Sequence, residues 1–393
     1  MKTVDLVYFN AGGGHRAATQ ALAASIAAQG FPWRVRSINL FEVLDPKGRF
    51  ERLTGMPPEA YYNRRLASGW TLGLAQELKL LQASIRLAHS TLVRRLQQHW
   101  LADEPDLVVS LVPNFNRCMM EAVATGLPGV PFATVLTDLA DMPPRFWIES
   151  RPGAHLVCGT QEAVVQARSM GHAETHIHRV RGMLLRASFH EPAPDPQDRE
   201  DRRRALGIAP DDFVPIVMFG AHGGRAMTAI ARALPEVPLI LLCGHNTELA
   251  RSLQAMPGLA PRIVVGHTAE VAGWMHLADV FVGKPGPGSL SEALQCGLPV
   301  ITCRNAFTLP QERFNTDWVK RHGVGVVVSG FDEIREALAE VRTNACALQS
   351  HIARLENTAA EEVPQVLARL IAGSEQPATP RSELWGMAAP APR

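Results

Sequence analysis

The sequence is poor in the features that most directly fix a chemical class. Its 393 residues contain no Asp-x-Asp triplet, so a diphosphate bridged by Mg²⁺ or Mn²⁺ through a carboxylate pair is not indicated. No G-x-x-x-x-G-K-[ST] order occurs, because Lys284 precedes the glycines near it, and this disfavours kinase and NTPase chemistry. There is no H-E-x-x-H and no C-x-x-C pair. Cysteine is sparse: Cys118, Cys158, Cys243, Cys296, Cys303 and Cys346 are scattered, several in apolar runs. They read as small buried residues in a reducing compartment rather than disulfides or metal ligands. Neither a metal site nor a resident cofactor is expected. The net charge is only +1, so nothing indicates a nucleic-acid partner. No apolar run is long enough to cross a bilayer, and the chain opens on a strand-like run, residues 4–9, without a leader. A cytoplasmic protein is expected, with any membrane contact peripheral, on the inner face of the cytoplasmic membrane.

What is present is alternation. Hydrophobic residues make up 46% and charged residues 20%, a globular balance, and the length favours two domains. Apolar runs at 4–9, 35–40, 107–112, 132–137 and 156–158 are separated by amphipathic segments, the first at 17–29. Residues 181–204 interrupt this with Pro192, Pro194 and Pro196 among charges and read as a linker. Strand-like runs then resume at 215–219, 239–242, 262–265, 280–282, 299–302 and 325–328. The pattern predicts an α/β protein of two doubly wound Rossmann-like domains facing a cleft. Their expected bounds are 1–180 and 205–372, with a disordered tail over 373–393.

Residues 47–100 form an expected helical insertion in the first domain. Leu72, Leu74, Leu78, Leu81, Ile85, Leu92 and Leu96 recur at helical spacing. Arg49, Arg52, Arg64, Arg65, Lys79, Arg86, Arg94 and Arg95 outnumber Glu51, Glu59 and Glu77, and Tyr61, Tyr62 and Trp70 lie among them. Such a segment is either the solvated outer face of ordinary helices or a surface for anionic membranes.

The strongest local motif is Gly283-Lys284-Pro285-Gly286-Pro287-Gly288-Ser289-Leu290-Ser291-Glu292. It follows a strand-like run and precedes a helical one. Glycines at 286 and 288 admit a ligand to the backbone, Ser289 is a candidate N-cap, and the helix start offers free N–H groups to a diphosphate. Glu292 is expected in the first turn, able to accept from two ribose hydroxyls; a plain strand–turn–helix with a favourable first-turn charge is the alternative.

The first βα turn, Asn10-Ala11-Gly12-Gly13-Gly14-His15-Arg16-Ala17, formally satisfies G-x-G-x-x-A. Against a dinucleotide, the next strand ends in Asn39-Leu40 without a ribose-binding acid, and His15 would project into the pyrophosphate position. His15 at a helix start suits acid–base or oxyanion work in its neutral form, or simple capping. Asp138, in Thr137-Asp138-Leu139, ends a strand and reads as a cleft acid or an N-cap. Gln311 and Glu312 can serve sugar hydroxyls or merely start a helix. Gly220, His222 and Gly223 form a turn after the first strand of the second half. With His245 and His267, which end the next two strands, they can frame a phosphate, a sugar or a planar base.

These pieces, in this order, resemble the monogalactosyldiacylglycerol synthases and bacterial diacylglycerol glucosyltransferases. More distantly they are similar to the N-acetylglucosaminyl transferase of peptidoglycan lipid synthesis. The resemblance runs from about residue 5 to 330 through Gly12-Gly13-Gly14-His15-Arg16, Thr137-Asp138-Leu139, Val157-Cys158-Gly159-Thr160 and Cys243-Gly244-His245-Asn246. It continues through the block Gly286-Pro287-Gly288-Ser289-Leu290-Ser291-Glu292-Ala293-Leu294-Gln295-Cys296-Gly297-Leu298-Pro299 and Gln311-Glu312 with Asn315. It implies a GT-B fold and a UDP-sugar donor in the C-terminal domain. It further implies inversion at the anomeric carbon and a lipid or hydrophobic hydroxyl acceptor, diacylglycerol-like, entering from the N-terminal domain. The alternative is a UDP-sugar 2-epimerase of the same fold, acting without an acceptor. The resemblance implies His15 or Asp138 as the base, Glu292 on the ribose, and Gln311 and Glu312 near the sugar. Two departures stand out: the Gly220 turn is poorer in glycine, and Asp141-Met142-Pro143-Pro144 follows where the plant enzymes have a Cys-His pair.

Overall fold

The computed structural model describes residues 1–10, 13–57, 59–60, 74–150 and 153–374. Gly12, Tyr61, Tyr62, Arg64, Arg65, Trp70, Leu72 and the expected tail from 375 onward lie outside the described residues.

Two six-stranded parallel sheets organise the chain. The first contains β1 (Lys2–Tyr8), β2 (Trp33–Asn39), β3 (Leu107–Ser110), β4 (Phe132–Val135), β5 (His155–Cys158) and β6 (Ile177–Arg179), in the order β2-β1-β3-β4-β5-β6. The second contains β7 (Pro215–Met218), β8 (Leu239–Gly244), β9 (Arg262–Gly266), β10 (Val280–Gly283), β11 (Val300–Cys303) and β12 (Gly325–Val328), in the order β12-β11-β10-β7-β8-β9. β3, β4, β7 and β10 are buried along their whole length, because helices cover both faces of a parallel sheet and the strands are correspondingly apolar. β6 was not foreseen; Ile-His-Arg has no apolar run to announce it.

Each order reverses once, between β1 and β3 in the first sheet and between β7 and β10 in the second. At such a point the loops leaving neighbouring strands diverge to opposite faces and open a crevice. The sequence motifs lead to these two crevices.

Two segments depart from the expected domain division. The helix Ala359–Ser374 packs Val363, Val366, Leu367 and Ile371 against Val4, Leu6, Leu22 and Ile26 of the first domain. An amphipathic stripe states that it must be covered but not by which sheet. Residues 181–204 also bury Met183, Leu185 and Phe189 in the core of the second domain, so they are not a featureless linker. Within them Asp195 caps the helix Pro196–Ala205, accepting from the Gln197 N–H at 2.8 Å. Arg199 and Arg203 then pair with Asp279 at 2.8 and 3.1 Å, fastening that helix to the start of β10. The interdomain crossing is held by Arg181, which pairs with Glu356 at 2.6 Å and Glu362 at 3.0 Å.

The insertion contains the helices Leu74–Leu87 and His89–Asp103. Ile85, Leu96 and Trp100 turn inward, whereas Leu80 (67% exposed) and Leu87 (91%) face out. No helix among the described residues is long and apolar enough to cross a membrane. Of the cysteines, Cys118, Cys158 and Cys243 are buried, but Cys346 is exposed, contrary to the expectation for it.

Candidate active site

At the C-terminal crevice, β10 runs into the helix Pro287–Gln295. Its N-cap is Gly286, with no side chain capping it, and Pro287 is the first helical residue. Ser289 is therefore not the cap that was expected but the third helical position, and Glu292 falls in the second turn rather than the first. The proline is the reason: its ring presets helical φ and it has no N–H to satisfy, so the helix starts early. The early start also removes one expected donor. The Leu290 N–H is already bonded to the Gly286 carbonyl at 3.0 Å, and its side chain is buried. Gly288 and Ser289 remain as the backbone donors at this helix start, with no acceptor for them among the described residues. The space beside Gly288 is open, since a side chain there would meet no atom within 4 Å.

A second helix, Pro310–His322, starts at the same place. Gln311 is half-buried and Glu312 buried in its first turn. Glu312 accepts a 3.0 Å ion pair from Lys284. One turn on, buried Asn315 donates to the Pro285 carbonyl at 2.8 Å and pins the glycine loop. Just after β7, a Cβ at Gly220 would lie 3.8 Å from Lys284 Cε, while Gly223 adopts φ +60° where a Cβ would lie 2.6 Å from Leu249. A glycine is required there on both counts. Beyond them, His245 and His267 stack at 3.9 Å between ring centroids, with His222 at 5.9 Å, all three exposed at the strand ends. Partial desolvation, then the imidazoles of His267 and His222, then Arg16 from the other domain hold His245 below the usual imidazole pKa. Glu292 is pushed up to about 7 by burial, against the pull of Arg186.

The N-terminal crevice is lined by side chains rather than by open backbone. Gly13 is the left-handed N-cap of the helix Gly14–Ala28, which places His15 in its first turn. His15 Nδ1 lies 3.2 Å from Thr137 Oγ1, and its ring 5.8 Å from the Trp147 ring. Burial lowers its pKa to about 4, opposed by the Leu111 carbonyl, so the imidazole is neutral at pH 7. Asp138 Oδ2 accepts the Trp147 indole N–H at 2.7 Å. Burial pushes Asp138 up to about 7 despite that bond; Glu312 and Asp141 push the same way and Lys284 opposes them. Glu312 and Lys284 belong to the other domain, so the two crevices face each other closely enough to share a field. Trp147 is itself aimed by Asp141. That buried carboxylate accepts the N–H groups of Arg145 (2.9 Å), Phe146 (2.9 Å), Trp147 (2.6 Å) and Ile148 (3.3 Å).

The dinucleotide reading of the first turn fails on geometry. Glu59 from the insertion accepts from the Asn10 N–H at 2.6 Å and faces Asn39 Nδ2 at 3.4 Å. A carboxylate seated there repels a pyrophosphate. Sequence reasoning missed Trp147, Asp141, Glu59 and Arg186 as site residues. The acid at 141, three residues after Asp138 and followed by prolines, was the only available signal for the loop it holds.

No known family profile matches the chain. A probable chloroplastic monogalactosyldiacylglycerol synthase of Glycine max is 26% identical over 357 residues, 86% of this chain and 65% of that protein. The Arabidopsis thaliana monogalactosyldiacylglycerol synthase 1 is 26% identical over 359 residues, 86% of this chain and 64% of that protein. The chain thus spans just under two thirds of the length of the curated relatives it matches. Among solved structures, Arabidopsis thaliana UGT89C1 complexed with UDP superposes with a TM-score of 0.61 at 15% identity, covering 95% of this chain and 100% of that one. Acinetobacter baumannii MurG gives 0.54 at 13% identity, covering 94% and 100%. The fold is GT-B. Gly13, His15 and Asp138 lie on the first sheet's side and Gly286, Gly288 and Glu292 on the second's.

Proposed function

We propose that the protein is an inverting glycosyltransferase that moves a hexose from a UDP-sugar to the hydroxyl of a diacylglycerol-like lipid. The observation that carries this reading is the helix start at Gly286. It leaves two backbone donors free beside the Lys284–Glu312 pair, opposite a carboxyl whose pKa is near neutrality. The diphosphate takes the Gly288 and Ser289 N–H groups, Glu292 takes the ribose hydroxyls, and the row of His222, His245 and His267 borders the base. Gln311 and Glu312 meet the sugar.

In the transfer, the acceptor oxygen forms the new bond to the anomeric carbon as the bond to the β-phosphate oxygen breaks on the opposite face. The acceptor proton goes to Asp138. A base with a pKa near 7 is matched to neutral pH, whereas an imidazole with a pKa near 4 holds a proton too weakly, so His15 serves as a neutral hydrogen-bonding partner that orients the acceptor. Negative charge growing on the departing UDP is stabilised by the helix start. Closure of the gap excludes water that would otherwise hydrolyse the donor. The acceptor side faces the insertion. Exposed Leu80 and Leu87, one heptad apart and flanked by Lys79 and Arg86, suit the surface of an anionic membrane.

The test is UDP release from a panel of UDP-hexoses, with and without diacylglycerol in anionic vesicles. Acceptor-dependent release together with a glycolipid product is expected. Release or isomerisation of the UDP-sugar without acceptor would replace this reading with the 2-epimerase.

A further inference from the structure

Glu292 is not alone at the edge of the nucleotide crevice. Arg186, from the segment that joins the two domains, reaches it with Nη2 at 3.8 Å from Glu292 Oε1. The same guanidinium lies over the Phe189 ring at 5.2 Å and donates to the Ala269 carbonyl at 3.4 Å. Phe189 is fully buried, so the arginine rests on a fixed platform. Ala269 belongs to the turn after β9, just beyond His267. One side chain therefore joins the interdomain segment, the β9 turn and the helix Pro287–Gln295, all at the rim of one crevice.

We propose that Arg186 is the positioning residue that fixes the Glu292 carboxylate for a nucleotide's ribose, so that the interdomain segment completes the nucleotide site. The proposal rests on the donor-site reading above. An ionised carboxylate offers both oxygens to two vicinal hydroxyls as acceptors, and a guanidinium fixed at ion-pair distance favours that form. Glu292 is largely buried, which opposes its ionisation; Arg186 is the charged group that favours it, and Cys296, one turn on, is the other titratable neighbour. Without the arginine, the carboxyl keeps its proton at neutral pH and offers the ribose one fewer acceptor.

Calorimetric titration with UDP and with uridine, from pH 6 to 9, tests this. For Arg186→Met, affinity for both ligands should fall roughly tenfold at pH 7 and recover to within about twofold at pH 9, as the carboxyl ionises without help. Arg186→Lys, which keeps the charge, should retain most of the parent's affinity at pH 7. A loss that is equal at every pH contradicts the role. So does a loss for UDP with none for uridine, since that is the mark of a direct phosphate contact. Glu292→Gln is run alongside. If it binds UDP as the parent does, the donor-site reading itself fails; if it weakens binding while Arg186→Met does not, only the positioning role falls. Should Arg186→Met not fold, the Lys variant and the parent's own rise in uridine affinity between pH 6 and 8 still decide.

Discussion

The two crevices share a topology and differ in almost everything else. The C-terminal one presents backbone: open space at Gly288, two N–H groups without an acceptor among the described residues, and glycines such as Gly223 with a left-handed φ. The N-terminal one presents side chains that protein has surrounded: His15, Asp138 and Trp147, shifted or locked by burial. Under the proposed transfer the two crevices divide the labour. A diphosphate carries its own charge and needs donors that cost no reorganisation, which a helix start supplies. A neutral hydroxyl needs a base of matched pKa, which burial supplies.

The largest effect that would sharpen this contrast is on turnover. Asp138→Asn should lower it about a thousandfold with UDP binding unchanged, and the parent's rate should rise with pH through about 7. Comparable turnover in the variant would return the base role to His15. The same residue links pH to stability. Its folded pKa exceeds the unfolded 3.8, so its stabilising contribution is complete below that value and is lost as pH rises through about 7. Thermal melting of Asp138→Asn should lack that decline.

Next in size is Asp141→Ala, which strands four backbone donors, those of Phe146, Trp147 and Ile148 on buried residues. It should destabilise the protein by about 3 kcal/mol, read by denaturant unfolding. Trp147→Phe keeps an aromatic side chain, though a smaller one, and removes one N–H from Asp138. The midpoint of the pH–rate profile should move upward by about one unit, with turnover at pH 7 down severalfold. Smallest is Leu87→Asp on the insertion. Cosedimentation with anionic vesicles should weaken a few-fold while UDP affinity stays put, since the C-terminal crevice is untouched.

The strand-and-helix alternation was legible because parallel strands buried on both faces must be apolar. Gly13, Gly220 and Gly223 were legible because their left-handed φ favours glycine, whereas Gly286 and Gly288 stood out only by their place between a strand and a helix. What failed was local reading where two signals compete: at 286–290 a serine cap and a proline start were both available, and the proline set the boundary. Long-range placement failed for a different reason. Nothing in residues 359–374 states that their apolar stripe covers the first sheet. Nor does anything in Arg186 state that it crosses to Glu292. Both are decided by packing between segments far apart in sequence.

In the proposed transfer, everything depends on a diphosphate held at the helix start. Gly288→Asp places a carboxylate in open space at that start, where the fold can accommodate it. Calorimetry should show UDP binding to the parent and affinity at least about a hundredfold weaker in the variant, with melting unchanged. Equal UDP affinity in the two proteins would contradict it.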